Sequence, residues 1–230
     1  MALKLAKVVG LALTVASWLW ARDGQRSDAW NMAIIWCAPL FAYPSTLLAR
    51  RVLDAQPSIT RAVWVNVLVH YAMMISLGVG IFPAIRLVSE WPGALIPTPR
   101  VAGLVCMILT GIATVLTVFN LALCGLGAPF AAKLSSRLAT DWMYAWTRNP
   151  MLLATLSLLL SVGLWYRSVW FLLWAAVIVC PGWIFFVRKY EERELEVRFG
   201  SAYRDYRMRT PFLWPRKPSP DTPQKCSLQA

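Results

Sequence analysis

PMLLATLSLLLSVGLWYRSVWFLLWAAVIVCPGWIFFVR, residues 150–188, contains two apolar runs, 150–166 and 169–187, separated by Arg167 and Ser168. Each run approaches the roughly 20 residues that an α-helix needs to cross about 30 Å of hydrocarbon. A connection this short makes the pair an antiparallel helical hairpin in a membrane. Working outward, similar runs lie at about 5–21, 31–49, 62–85 and 101–124, which brings the expected count to six spans. The fold class is therefore all-α, a polytopic membrane bundle.

Composition agrees. Of the 230 residues, 58% are apolar and only 15% are Asp, Glu, Lys or Arg, where a soluble domain carries about a quarter. The formal charge of +12 would suggest nucleic acid in a soluble protein, but here it is read as a membrane-protein charge bias, with no nucleic-acid partner. Cys37, Cys106, Cys124, Cys180 and Cys226 form no C-x-x-C pair and have no His at ligand spacing, so neither a metal site nor a disulfide scaffold is expected. Cys226 is fifth from the end, one residue out of place for a prenylation box. The first run has no A-x-A cleavage pattern at Trp18-Leu19-Trp20-Ala21 and is read as a retained span rather than a signal peptide.

Loop charges orient the bundle. With six spans, one side holds eighteen Lys and Arg, including Lys4, Arg50, Arg148 and everything from Arg188 onward. The other holds five: Arg22, Arg26, Arg86, Arg100 and Arg167. Basic loops stay in the cytoplasm, so both termini are expected there, with the 125–149 loop and the charged tail on the same side. Many of the 13 Trp residues, such as Trp18, Trp30, Trp165 and Trp170, sit near span ends, as interface anchors do. The chain divides into N-terminal spans at 1–124, a core at 125–211 and a polar tail at 212–230 whose end, from Lys217, is rich in Pro and Ser.

Chemistry concentrates in few places. His70 is the one histidine and lies inside the third run, with no acidic residue inside any run. A helix-to-helix hydrogen bond is the reading for it, not a proton relay. Gly125 and Gly127 stand one residue apart after the fourth run, where a backbone can approach a ligand closely; they also serve simply to end that helix, as Pro150 serves to start the fifth. Beyond the sixth run, Glu191, Leu195 and Phe199 recur at i, i+4, i+8, prolonging the span as a helix that Gly200 caps. Arg188 with Glu192 and Glu194 with Arg198 have the spacing of ion pairs on a solvated face. Glu191 and Glu192 point about 100° apart, so one can be paired locally while the other faces a pocket.

The order Gly125-x-Gly127 with Pro129, Arg148-Asn149-Pro150-Met151, a hydrophobic hairpin, Glu191-Glu192-x-x-Leu195 and Phe199-Gly200-x-x-Tyr203-x-x-Tyr206 resembles the integral-membrane methyltransferases of the isoprenylcysteine carboxyl and phospholipid N-methyltransferase type. The resemblance runs from about Gly125 to Pro211. It implies S-adenosylmethionine as cofactor, with Gly125, Gly127, Tyr144, Arg148, Asn149, Pro150, Glu191 and Glu192 as the cofactor site and Arg148 and Glu192 as the catalytic pair. Departures are Trp142-Met143-Tyr144 in place of Gly-Pro-Tyr, Leu152 in place of Tyr, and Asn149 at a position often occupied by His.

The residue types suit that chemistry. A carboxylate accepts from the cofactor's ammonium or ribose, Arg148 pairs with its carboxylate, and methyl transfer is an in-line displacement lowered mainly by positioning. The acceptor is expected to be lipid-like or small and amphipathic, either a carboxylate or an amine, reached from within the bilayer. The alternatives are a sterol-reductase-like enzyme using NADPH, for which Arg204, Arg207 and Arg209 would read phosphate, and a non-catalytic transporter or scaffold.

Overall fold

A computed structural model describes residues 1–23, 27–87, 95–124 and 137–218. In chain order the helices are α1 (Ala2–Asp23), α2 (Asp28–Leu40), α3 (Ala42–Ala55), α4 (Ile59–Leu87), α5 (Arg100–Cys124), the short α6 (Met143–Trp146), α7 (Pro150–Tyr166), α8 (Val169–Trp174), α9 (Cys180–Phe186), α10 (Glu192–Phe199) and α11 (Ser201–Arg209). Wide π-type turns at Ala175–Val179 and Val187–Glu191 join α8, α9 and α10 into one rod. Among the described residues there is no β-strand, only a bridge between Leu95 and Ser168.

Small polar residues start the helices where polar sequence turns apolar. The hydroxyls of Ser27, Ser58 and Ser168 accept from the amides of Trp30, Arg61 and Phe171, satisfying donors that a first helical turn leaves open. Pro150 opens α7 at a position where its missing N–H costs nothing.

All six apolar runs fall in helices. Five helical stretches, Ala2–Asp23, Asp28–Ala55, Ile59–Arg86, Arg100–Cys124 and Val169–Phe199, are long and apolar enough to cross a membrane, and Pro150–Tyr166 is a shorter apolar helix. The hairpin turn is made without glycine. Arg167 adopts φ 58° at the end of α7, and the amides of Arg167 and Ser168 close back on the carbonyls of Leu164 and Gly163. The Arg167 backbone and side chain also bond Ile96, tying the segment before α5 to the hairpin and holding a left-handed conformation unusual for a non-glycine residue.

The bundle has two halves. α1, α2 and α3 pack on α4, whereas α5 packs along α7. At the second crossing a Cβ on Gly103 would stand 2.4 Å from the Trp165 amide nitrogen, so only glycine allows the approach. The rod from α8 to α10 joins the halves through two buried clusters, one around Phe186, Tyr190, Leu53 and Met73, the other around Phe171, Trp174, Ile35 and Val179. Leu104, Ile108, Ile112, Leu116 and Phe119 on the outer side of α5 are exposed, as lipid-facing side chains in a membrane bundle are.

At one end of the bundle the 142–149 segment meets the C-terminal segment. The Arg148 amide bonds Pro211, the Arg216 amide bonds Trp146, and Thr147 Oγ1 and Asn149 Nδ2 both donate to the Phe212 carbonyl. Phe212 and Leu213, assigned by composition to the polar tail, pack against the core cluster of Phe186 and Tyr190.

Candidate functional site

α4, α5, α7 and the rod form the walls of a cavity of ≈ 360 Å³ whose lining follows helical spacing, with Trp18 of α1, Tyr144 of α6, Tyr206 of α11 and a loop completing it. His70, Met74, Leu77 and Ile81 form one strip on α4, and Glu191, Val187, Trp183 and Val179 form the facing strip on the rod. Leu152, Thr155, Leu156 and Leu159 of α7 and Thr114, Val118 and Leu121 of α5 complete an apolar shaft. From His70 to Ile81 the shaft follows α4 for roughly 16 Å, about half of a hydrocarbon core. The opposite end is polar, lined by Arg137, Tyr144, Arg148, Asn149, Glu194, Arg198 and Tyr206. His70 and Glu191 stand where the two parts join.

Tyr144 is placed from two directions. Asn120 Oδ1 of α5 accepts from the Met143 amide at 3.1 Å, and the Tyr206 hydroxyl donates to the Tyr144 carbonyl at 2.7 Å. Burial, helped by the Glu191 charge, pushes the Tyr144 phenol well above its ordinary value, and burial does the same for Tyr206. Both remain hydroxyl donors at neutral pH. The preceding residue, Trp142, adopts φ 51°, a conformation glycine takes freely, at the position where the resembling family commonly has glycine.

Arg148 and Glu192 satisfy one another. The guanidinium donates from Nε at 3.1 Å and Nη2 at 2.6 Å to Glu192 Oε1, while Nη1 donates to the carbonyls of Arg207 and Thr210 at 2.8 and 2.6 Å. Their side chains are 10% and 6% exposed. Arg148 thereby ties the loop before α7 to both α10 and the end of α11. The Arg188–Glu192 pair expected from i, i+4 spacing gives way to this one, because the π-type turn at 187–191 widens the helix between them. Arg188 instead lies over the Phe212 ring at 4.6 Å.

Glu191 turns the other way, into the cavity, where His70 Nε2 lies 2.8 Å from its Oε1. The lone histidine therefore does bond another helix, as expected, and its partner is a carboxylate of the candidate site that lies just beyond the sixth apolar run. Glu194 and Arg198 form the expected pair at 2.8 Å, yet their side chains are 4% and 10% exposed and line the cavity rather than a solvated face.

Of the residues singled out in the sequence, Tyr144, Arg148, Asn149 and Glu191 thus converge on one cavity, Glu192 sits behind it as the partner of Arg148, and Pro150 is the buried first residue of α7. Gly125 and Gly127 lie outside the described residues. His70, Arg137, Glu194, Arg198 and Tyr206 were not singled out as site residues; only the family-like Tyr203-x-x-Tyr206 spacing offered a signal for one of them. Among the described residues no cluster of His, Cys, Asp or Glu is suited to a metal ion.

Apart from Tyr206, the residues that line the polar end of this cavity, Arg137 to Arg198, lie in the stretch that carries sequence similarity. Residues 98–202 match the phospholipid methyltransferase family. The membrane methyltransferase resemblance of the sequence and this match agree, and the matched range includes the loop, the hairpin and the Glu191-Glu192 carboxylates. His70 and the α4 wall of the cavity fall outside the phospholipid methyltransferase segment. No curated protein and no solved structure matches the chain.

Proposed function

We propose that the protein is an S-adenosylmethionine-dependent membrane methyltransferase that methylates the amine headgroup of a lipid-like acceptor. The observation that carries this reading is the junction in the cavity: an apolar shaft between helices long and apolar enough to cross a membrane ends at the Glu191 carboxylate, and a polar chamber lies beyond it. An amphiphile with its tail in the shaft presents its headgroup at that point. A cationic amine can donate to the Glu191 oxygen that His70 leaves open, whereas an acceptor carboxylate would bring only further acceptor oxygens to it.

S-adenosylmethionine fits the polar chamber by the chemistry of its lining. Tyr144 and Asn149 supply neutral donors and acceptors, Arg137 is a cation with no ion-pair partner among the described residues and suits the cofactor's carboxylate, and Glu191 suits its ammonium. Gly125 and Gly127 are assigned to close backbone approach. Arg148 and Glu192, committed to one another, act as the brace that fixes the chamber. When bound, the cofactor supplies an electrophilic methyl group, and the protein's part is to hold the acceptor amine in line with it and to keep water from the shaft.

Both termini are assigned to the cytoplasm, on the eighteen-to-five asymmetry of basic residues. The cofactor then reaches the polar chamber from the cytoplasm and the acceptor reaches the shaft from the bilayer. α1–α4 and α5–α7 form separate packing groups on either side of the shaft, which suits lateral passage between them.

The test is methyl transfer from methyl-labelled S-adenosylmethionine by the reconstituted protein. Vesicles containing phosphatidylethanolamine are compared with vesicles of phosphatidylcholine alone and with vesicles carrying an S-prenylcysteine. Label in the amine lipid only is the expected result; label in the prenylcysteine ester would move the acceptor to a carboxylate.

A further inference from the structure

The pair of His70 and Glu191 has a proton inventory that geometry alone decides. His70 Nδ1 is 2.9 Å from the Asn66 carbonyl oxygen, which can only accept, so Nδ1 carries a hydrogen. Nε2 is 2.8 Å from Glu191 Oε1, and a contact of that length requires one further hydrogen between them. Whether that hydrogen sits on the imidazole or on the carboxyl, the pair holds one proton and is neutral as a unit.

Its surroundings keep the pair in place and in contact with the cavity. The imidazole meets the Phe186 ring edge to face at 5.3 Å, and the His70 and Glu191 side chains are 14% and 27% exposed. The charged groups facing it are Glu194, held by Arg198, and Arg148, held by Glu192; the Tyr144 phenol also lines this end. Arg137 is a further cation of this cavity, but Arg148 and Arg198 are held by their own carboxylates and, among the described residues, no ion pair joins Arg137 to Glu191, so the contact to Glu191 is made by His70.

We propose that His70 and Glu191 together are the proton acceptor for the incoming amine, with His70, on a helix outside the family-matched segment, as the residue that takes the proton. The inference rests on the amine-acceptor reading above. A primary ammonium has no lone pair with which to attack a methyl group, and its ordinary pKa, about 10.4 as in a lysine side chain, leaves little free amine at neutral pH. The resting pair first gives up its own proton to water, leaving the Nε2 lone pair beside the Glu191 carboxylate. The acceptor's N–H bond then breaks, its proton goes to Nε2, and the imidazolium is held by Glu191. The freed nitrogen lone pair forms the N–CH3 bond as the S–CH3 bond breaks, its electron pair returning to sulfur. Each cycle converts an ammonium and a sulfonium into a methylated ammonium and a neutral thioether, with one proton released.

The experiment uses the full chain in detergent. A long-chain primary amine is titrated by calorimetry at pH 7 in buffers of different ionisation enthalpy, for the wild type and for His70→Gln, with S-adenosylmethionine titrated separately. Gln places an amide nitrogen near the position of Nε2 and keeps a donor on Glu191, but it cannot take a proton. The wild type is expected to release about one proton per amine bound, and His70→Gln to bind the amine with almost none released. In turnover, His70→Gln is expected to lose roughly a hundredfold or more in kcat/KM at pH 7, the deficit narrowing as rising pH supplies free amine.

Wild-type binding without proton release, or equal release and an unchanged pH profile in His70→Gln, would overturn the role of His70 while leaving the methyltransferase reading intact. A wild type that binds S-adenosylmethionine but no amine would overturn the amine acceptor and, with it, this inference. Amine-linked proton release without any cofactor binding would support the pair and defeat the methyltransferase reading.

Discussion

Arg148 and Glu192 meet inside the protein at 2.6 Å, 44 residues apart in sequence, and the same guanidinium closes on the carbonyls of Arg207 and Thr210. A family-type motif residue on each side of the hairpin is thereby spent on holding the two sides together. Arg148→Ala takes the donor from two carbonyls and leaves the buried Glu192 carboxylate only the half-exposed Arg207 at 3.6 Å, and its expected cost is about 3 kcal/mol, the low end for breaking a buried pair. Glu192→Gln keeps an oxygen for the guanidinium and should cost less. Unfolding of both variants in detergent, monitored by circular dichroism, checks the order; an Arg148→Ala protein as stable as the wild type would remove the brace.

Glu191 differs from its neighbour in facing the cavity, with its side chain 27% exposed. Glu191→Gln should leave stability within about 1 kcal/mol of wild type, because the amide still bonds His70, while binding of an amine amphiphile weakens by at least tenfold. Parallel unfolding and calorimetry of this single variant separate the two effects.

The shaft is open to a steric test. Thr155 of α7 lines it beside Leu152, Leu156 and Leu159. Thr155→Trp places a large ring in the path of an acceptor tail and is expected to raise KM for a long-chain acceptor about tenfold or more, a loss of roughly 1.4 kcal/mol in binding, while cofactor affinity stays unchanged. Short-chain amines, compared in the same assay, should be affected less.

Packing of α5 on α7 depends on Gly103, where a Cβ would come within 2.4 Å of the Trp165 backbone nitrogen. Gly103→Leu should therefore part the helices and destabilise the protein by more than the usual 1–3 kcal/mol of overpacking, since backbone rather than a flexible side chain is in the way. Gly111, further along α5, has nothing within 4 Å of an added Cβ, so Gly111→Leu serves as the tolerated control in the same melting experiment.

Much of this architecture is legible in the sequence. Apolar length specifies spans because hydrocarbon leaves backbone groups no alternative to helix, so the runs at 150–166 and 169–187 fell where the hairpin lies. The charge pattern brought the 142–149 segment and the tail to one side, and they touch through Arg148 and Pro211. Residue spacing could not show the π-type turn at 187–191, which has no sequence period of its own and which redirects Glu192 from Arg188 to Arg148. Nor could it show that His70, 121 residues from Glu191, would meet it, since local patterns carry no information about which helices become neighbours. Glu194 and Arg198 looked like a solvated pair for a similar reason: periodicity identifies a face but not what covers it.

A methyl-donor site at the polar end of the cavity requires that the detergent-purified full chain bind S-adenosylmethionine, which calorimetry measures. Saturable binding that weakens at least tenfold in Tyr144→Ala and in a folded Glu191→Gln variant, with nicotinamide cofactor giving no heat, is the result this account predicts. A folded protein that takes up no S-adenosylmethionine, or that binds NADPH in its place, would contradict it.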